Sequence, residues 1–215
     1  MKNMVIVSGL LALAGTAMGQ VASTGFSFDT RQPAEPTVDF RPSLDRAGGQ
    51  TTISFAGLAS WDALGGGSNT VLNIDLAAAL GFPSGTPITM NGVGWDVGIE
   101  TVGASWRSEA RMYFDDAVAP DLTGLFLAPG IADGSPGVGQ YSSGGILKLA
   151  DAQIPNIPLP NGVLRLELFE SYDDVAGAID AFWSGSIVVQ TVEVPAPGVA
   201  GLFGLAGLAA ARRRR

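Results

Sequence analysis

From residue 51 onward, apolar side chains recur at every second position in short runs separated by Gly, Pro, Asn and Asp. Thr51 to Phe55 puts Ile53 and Phe55 on one face, and Val71 to Leu76 does the same with Leu72, Ile74 and Leu76. In Val93 to Glu100 the apolar set Val93, Trp95, Val97 and Ile99 opposes Gly94, Asp96, Gly98 and Glu100. Ser108 to Phe114 alternates Ala110, Met112 and Phe114 against Glu109, Arg111 and Tyr113, and Val163 to Phe169 sets Leu164, Leu166 and Leu168 opposite Arg165 and Glu167. A last run, Ser184 to Val194, contains Ile187, Val188, Val189 and Val192. Successive side chains of a strand point to opposite faces, so a period of two predicts half-buried strands. Helical periodicity is confined to Leu76–Leu80, a turn or two stopped by Gly81 and Pro83. The stretches 64–69, 81–87, 129–139 and 154–162 are rich in turn residues and read as loops. About eight strands without a long helix predict an all-β, antiparallel β-sandwich, with a jelly roll as the expected topology. Its domain spans 51–193; segment 20–50, with Pro33, Pro36 and Pro42, reads as an extended leader or edge strand.

The two ends break this pattern. Met1-Lys2-Asn3 precedes an apolar run, Met4 to Ala14, closed by the small residues around Ala17-Met18-Gly19. A charge, an apolar core and a small-x-small site form the order of a signal peptide, with a helix too short to span a bilayer. Cleavage is expected between Gly19 and Gln20 by signal peptidase, leaving 1–19 behind. At the other end, Val194-Pro195-Ala196-Pro197-Gly198 leads into an apolar segment, Val199 to Ala211, and then Arg212, Arg213, Arg214 and Arg215. Thirteen helical residues would reach roughly 20 Å at about 1.5 Å each, short of a hydrocarbon core of about 30 Å. The arginine run would stay on the cytoplasmic side. An exported chain, held transiently at the inner membrane by a short apolar helix, is the expected topology.

This tripartite tail, 194–215, resembles the PEP-CTERM sorting signal of exopolysaccharide-producing Gram-negative bacteria. Ala196 stands where that family's motif carries Glu, so the motif here is a neutral variant. The resemblance implies processing by an exosortase-like transpeptidase, a place at the cell surface or in the extracellular matrix, and exopolysaccharide as a partner. Glu167 to Asp174 is similar to the closing hairpin of galactose-binding-like jelly rolls.

Charge and composition narrow the chemistry. The 215 residues include no His and no Cys, which removes imidazole bases, thiol nucleophiles, disulfides and imidazole-built zinc sites. All 20 Asp and Glu lie between Asp29 and Glu193, while Lys2 and the four terminal arginines supply five of the 12 basic residues. The net charge of −8 therefore becomes −13 once both ends are removed. Nucleic-acid binding, which relies on Lys and Arg displacing counterions, is not expected. No cofactor is required by any motif; the Gly-rich runs lack the context of phosphate loops.

Three sets of side chains remain as candidate chemistry. Asp115-Asp116 and Asp173-Asp174 close strands, where carboxylates suit Ca²⁺, although the plainer reading of each pair is a turn. Glu100, Glu109, Glu167 and Glu170 are the acids from which a glycosidase pair would be drawn. Trp106 and Trp183, next to turns, are candidate glycan contacts, whereas Trp95 is in phase with the core. A non-enzymatic, structural or adhesive surface protein is expected, with a carbohydrate-binding module as the alternative and a carboxylate glycosidase after it.

Overall fold

The computed structural model describes residues 37–45, 48–118, 121, 123–174 and 176–193. Gly19, Gln20, Val194 to Gly198, Arg212 to Arg215 and both terminal helices lie outside the described residues. The described chain consists of strands in two antiparallel sheets with almost no helix. Its strands are β1 (Thr37–Asp45), β2 (Gly48–Ser60), β3 (Val71–Asp75), β4 (Ile88–Thr101), β5 (Ala110–Asp116), β6 (Leu125–Leu127), β7 (Val138–Ser142), β8 (Leu147–Lys148), β9 (Ile157–Leu159), β10 (Val163–Glu170) and β11 (Ala181–Glu193).

The larger sheet runs β1-β2-β11-β4, and the far edge of β4 is paired in succession by β7, β8 and β9. The smaller sheet runs β3-β10-β5-β6. Ile53, Val97, Trp183 and Ile187 of the first sheet share one apolar core with Met112, Phe114, Leu164 and Leu166 of the second, all at most 1% exposed. All but Trp183 belong to the runs read from the sequence as strands, so burial of one face drives both sheets together. The sheet extends back beyond residue 51: β1 pairs with β2 from Thr37↔Ala56 to Asp45↔Gly48.

Leu76–Ala79 forms a short α-helical turn, α1, and Leu149–Ala152 a 3-10 turn. The Asp75 carboxylate accepts from the Ala78 N–H at 2.8 Å, the N-cap bond that opens a helix, and Gly81 leaves it with φ +84°. Among the described residues no helix is long and apolar enough to cross a membrane.

The strand registers define two poles. Ser60 faces Ala181, Ala181 faces Thr101, Ala110 faces Glu170 and Val138 faces Glu100, so the C-terminal ends of β2, β4 and β10 meet the N-terminal ends of β5, β7 and β11. Loops 61–70, 102–109, 128–137 and 171–180 crown this pole. Glu193 faces Ile88 at the other, where α1 and the loop after Asp116 lie.

Candidate functional site: an acidic, aromatic pole

The crowned pole gathers most of the residues singled out from sequence. Asp62, Glu109, Asp133, Asp173, Asp174 and Asp180 lie in its loops, and Glu100, Glu167 and Glu170 at its strand ends, nine of the chain's 20 acids. Asp115 and Asp116 are separated from them at the opposite pole. There Asp115, 3% exposed, accepts from the Tyr113 hydroxyl (2.7 Å), the Asp116 N–H (2.8 Å) and the Asp121 N–H (3.0 Å). Burial and the bond to Asp115 raise the Tyr113 hydroxyl well above its ordinary value. Asp116 accepts from the Val118 N–H at 2.7 Å. This pair shapes a turn, as short Asp side chains commonly do.

Glu170 sits on the inner face of β10, fully buried. One of its oxygens accepts from Ser60 Oγ, which in turn accepts from Trp183 Nε1 at 3.0 Å. Burial raises the Glu170 carboxyl to about 8; Asp180 and Glu109 add to the rise, while the Ser60 hydroxyl and Arg111 oppose it. Its other oxygen, Oε2, has no hydrogen-bond partner, and neither has Asp180 Oδ2 nor Asp173 Oδ1. Asp180, 2% exposed, takes one bond from Ser105 Oγ at 2.8 Å, and its carboxyl is raised by burial and by Asp173, Asp174 and Asp62. Two buried donors at the same pole, Arg107 Nε and Arg111 Nε, are likewise without a partner.

Two sequence expectations are corrected here. Trp183, read as a candidate glycan contact near a turn, is completely buried and spends its indole N–H on Ser60, because β11 already begins at Ala181 and places it in phase with Ile187. Glu167, read as facing solvent opposite the core, is also fully buried. Loop 61–70 folds over the outer face of the smaller sheet and donates Gly65 N–H (2.6 Å) and Asn69 Nδ2 (3.0 Å) to one oxygen, and Arg165 pairs with the other. Glu170, the acid best tuned to hold a proton at neutral pH, has no exposed surface through which a substrate would reach it.

Trp106 is 48% exposed. Its backbone is fixed on both sides: Trp106 N–H donates to Glu109 Oε2 at 2.8 Å, and Glu109 N–H returns a bond to the Trp106 carbonyl at 2.9 Å. The neighbouring N–H groups of Arg107 and Ser108 donate to the carbonyls of Ser135 and Asp133, which staples this loop to loop 128–137. Arg107 completes the staple with a 2.7 Å ion pair to Asp133. The Tyr141 hydroxyl bonds the same carboxylate at 2.9 Å, holding the Asp133 carboxyl below its ordinary value, while burial pushes Tyr141 up to about 12. Among the described residues no three carboxylates stand in an arrangement that would hold a metal ion.

No family model matches the chain, and no curated protein matches it. Chains from structures of infectious bursal disease virus are similar at a low level: the Gx strain at 14% identity and TM-score 0.28, and the Gt strain at 13% and 0.27. Each match covers 79% of this chain, and this chain spans 36% of the viral one. Likeness at these scores carries no argument about fold or function.

Proposed function

We propose that this protein is an exported, non-enzymatic β-sandwich of jelly-roll type, sorted by its PEP-CTERM-like tail to the cell surface or extracellular matrix. There it acts as a structural or adhesive component in exopolysaccharide. The observation that carries the reading is the order of segments in one chain: charge, apolar run and small residues first, then an all-β domain, then Val194-Pro195-Ala196-Pro197-Gly198, an apolar stretch and four arginines. Two antiparallel sheets with one shared core, stable without any Cys, are compatible with an extracellular life. Intact mass of material recovered outside the cell tests this: it should begin at Gln20 and lack Arg212 to Arg215. A mature protein that retains both ends overturns the reading.

A carbohydrate-binding module is the second reading, favoured by the exposed and pre-positioned ring of Trp106. Aromatic faces stack on the apolar faces of pyranose rings. Binding on a glycan array that disappears in Trp106→Ala would support it, and full retention of that binding would exclude the ring from the contact.

A further inference from the structure

Six large hydrophobic side chains are exposed among the described residues, and five of them, Val71, Val102, Trp106, Val138 and Tyr172, lie in the loops or at the strand ends of the acidic pole. Only Val118 lies at the other. Single exposed apolar residues scattered over a surface need no explanation, but their concentration on one end marks a contact surface. Trp106 is held before any ligand arrives, since its backbone is bonded to Glu109 and its loop to loop 128–137. Gly134 packs against the ring edge, where an added Cβ would stand 3.5 Å from Cε3. A pre-ordered ring spares the binding step the cost of fixing it.

The charges around this ring are predominantly negative. Asp62, Asp173 and Asp174 act on Asp180 as like charges, Arg107 is paired with Asp133, and Arg111 lies in the field of Glu170 and Glu109. Asp173 Oδ1 and the buried Asp180 Oδ2 are acceptors without donors, whereas Glu170 lies out of a ligand's reach. An acidic, polyuronate-type glycan would add repulsion to this field. A protonated amine brings three donors and a positive charge, and over an indole face it gains a cation–π attraction as well.

We propose that the acidic pole binds glycans bearing free amino groups, of the glucosamine-polymer type, with Trp106 as the stacking platform and the Asp173-Asp174 loop supplying the charge that selects the amine. This rests on the carbohydrate-binding reading above and adds the class of sugar to it.

The test is calorimetric titration of the full chain at low ionic strength with short oligomers of glucosamine, of N-acetylglucosamine and of a uronic acid, and with a lysine-rich peptide. The glucosamine oligomer should bind about tenfold or more tightly than its N-acetylated counterpart. The difference should shrink as salt screens the charges. Trp106→Ala should weaken both sugars about tenfold, and Asp173→Asn combined with Asp174→Asn should remove the preference for the amine; circular dichroism and melting establish that each variant is folded. Tighter binding of the uronate, or an amine preference that survives both Asn substitutions, overturns the proposal. So does a lysine-rich peptide that binds as tightly as the sugar and indifferently to Trp106. Binding of both sugars through Trp106 without preference for the amine leaves the carbohydrate reading standing and this proposal refuted; binding of none refutes both.

Discussion

Ser60 Oγ is the hinge of the buried polar chain at the crowned pole, because it accepts from Trp183 and donates to Glu170. Ser60→Ala would leave an indole N–H and a second Glu170 oxygen unpaired in the core, at a cost of about 2–4 kcal/mol. Denaturant unfolding followed by Trp fluorescence measures it. Glu170 also sets a pH dependence. Its carboxyl titrates at about 8 in the folded chain against 4.5 for an ordinary Glu, so between these values the folded state binds the extra proton. Stability is then greatest below about 4.5 as far as this group is concerned, and falls as pH rises through about 8. The loss should amount to a few kcal/mol, and Glu170→Gln should flatten that part of the profile. An unchanged profile in Glu170→Gln would show that another group carries it. The two variants are linked: since the Ser60 hydroxyl favours the ionised carboxyl, Ser60→Ala should cost more at alkaline than at acid pH. None of this pairing is legible in the sequence, where Ser60 and Glu170 lie 110 positions apart. Trp183 is different. Its spacing from Ile187 and Val189 matches the core face of β11, a signal masked by the neighbouring Gly185, which reads as a turn.

Long strands were legible because alternation over five or more residues leaves little ambiguity, and β4 illustrates both the strength and the limit of that signal. Val93, Val97 and Ile99 face the core as alternation predicts, yet Ile88 and Met90, of the opposite parity, are equally buried. The pairing explains it: Gln190 faces Gly92 and Thr191 faces Met90, so Asn91 is an extra residue. A bulge of one residue switches parity and returns the chain to the same face. Gly57, at φ +71°, does the same in β2, between Phe55 and Leu58. The short strands β6, β8 and β9, of three, two and three residues, carry no measurable period, and β7, on the edge, buries none of its side chains fully. β7, β8 and β9 are placed by the long edge of β4, and β6 by the edge of β5. Gly185 marks the irregular step of β11: its φ is +115°, and an added Cβ would collide with the Asp96 carbonyl. Gly185→Ala should therefore destabilise the protein by about 2 kcal/mol or more through strain and clash. A lowered melting temperature checks this, and an unshifted one would mean that the two strands separate easily at this point.

At the scale of the whole molecule, the pole at which β11 ends becomes informative. Glu193 closes β11 opposite Ile88, at the pole away from Trp106, and the 13 residues of β11 span roughly 40 Å at about 3.3 Å each. A tail anchored in a membrane after residue 193, as proposed above, would hold the acidic, aromatic pole outward, and the nine acids of that pole would favour this orientation over an anionic lipid surface. Because the protein contains no Cys, a single introduced thiol reports accessibility without background. Tyr172→Cys, 64% exposed at the outward pole, and Ser84→Cys, exposed in the loop that precedes Ile88, make a matched pair. On intact cells that retain the tail-anchored form, an impermeant maleimide should label Tyr172→Cys several-fold faster than Ser84→Cys. The released protein should label at both positions alike. Equal rates on the cell would mean that the tail imposes no orientation, and the acidic pole would then lose the geometric advantage that its distance from Glu193 provides.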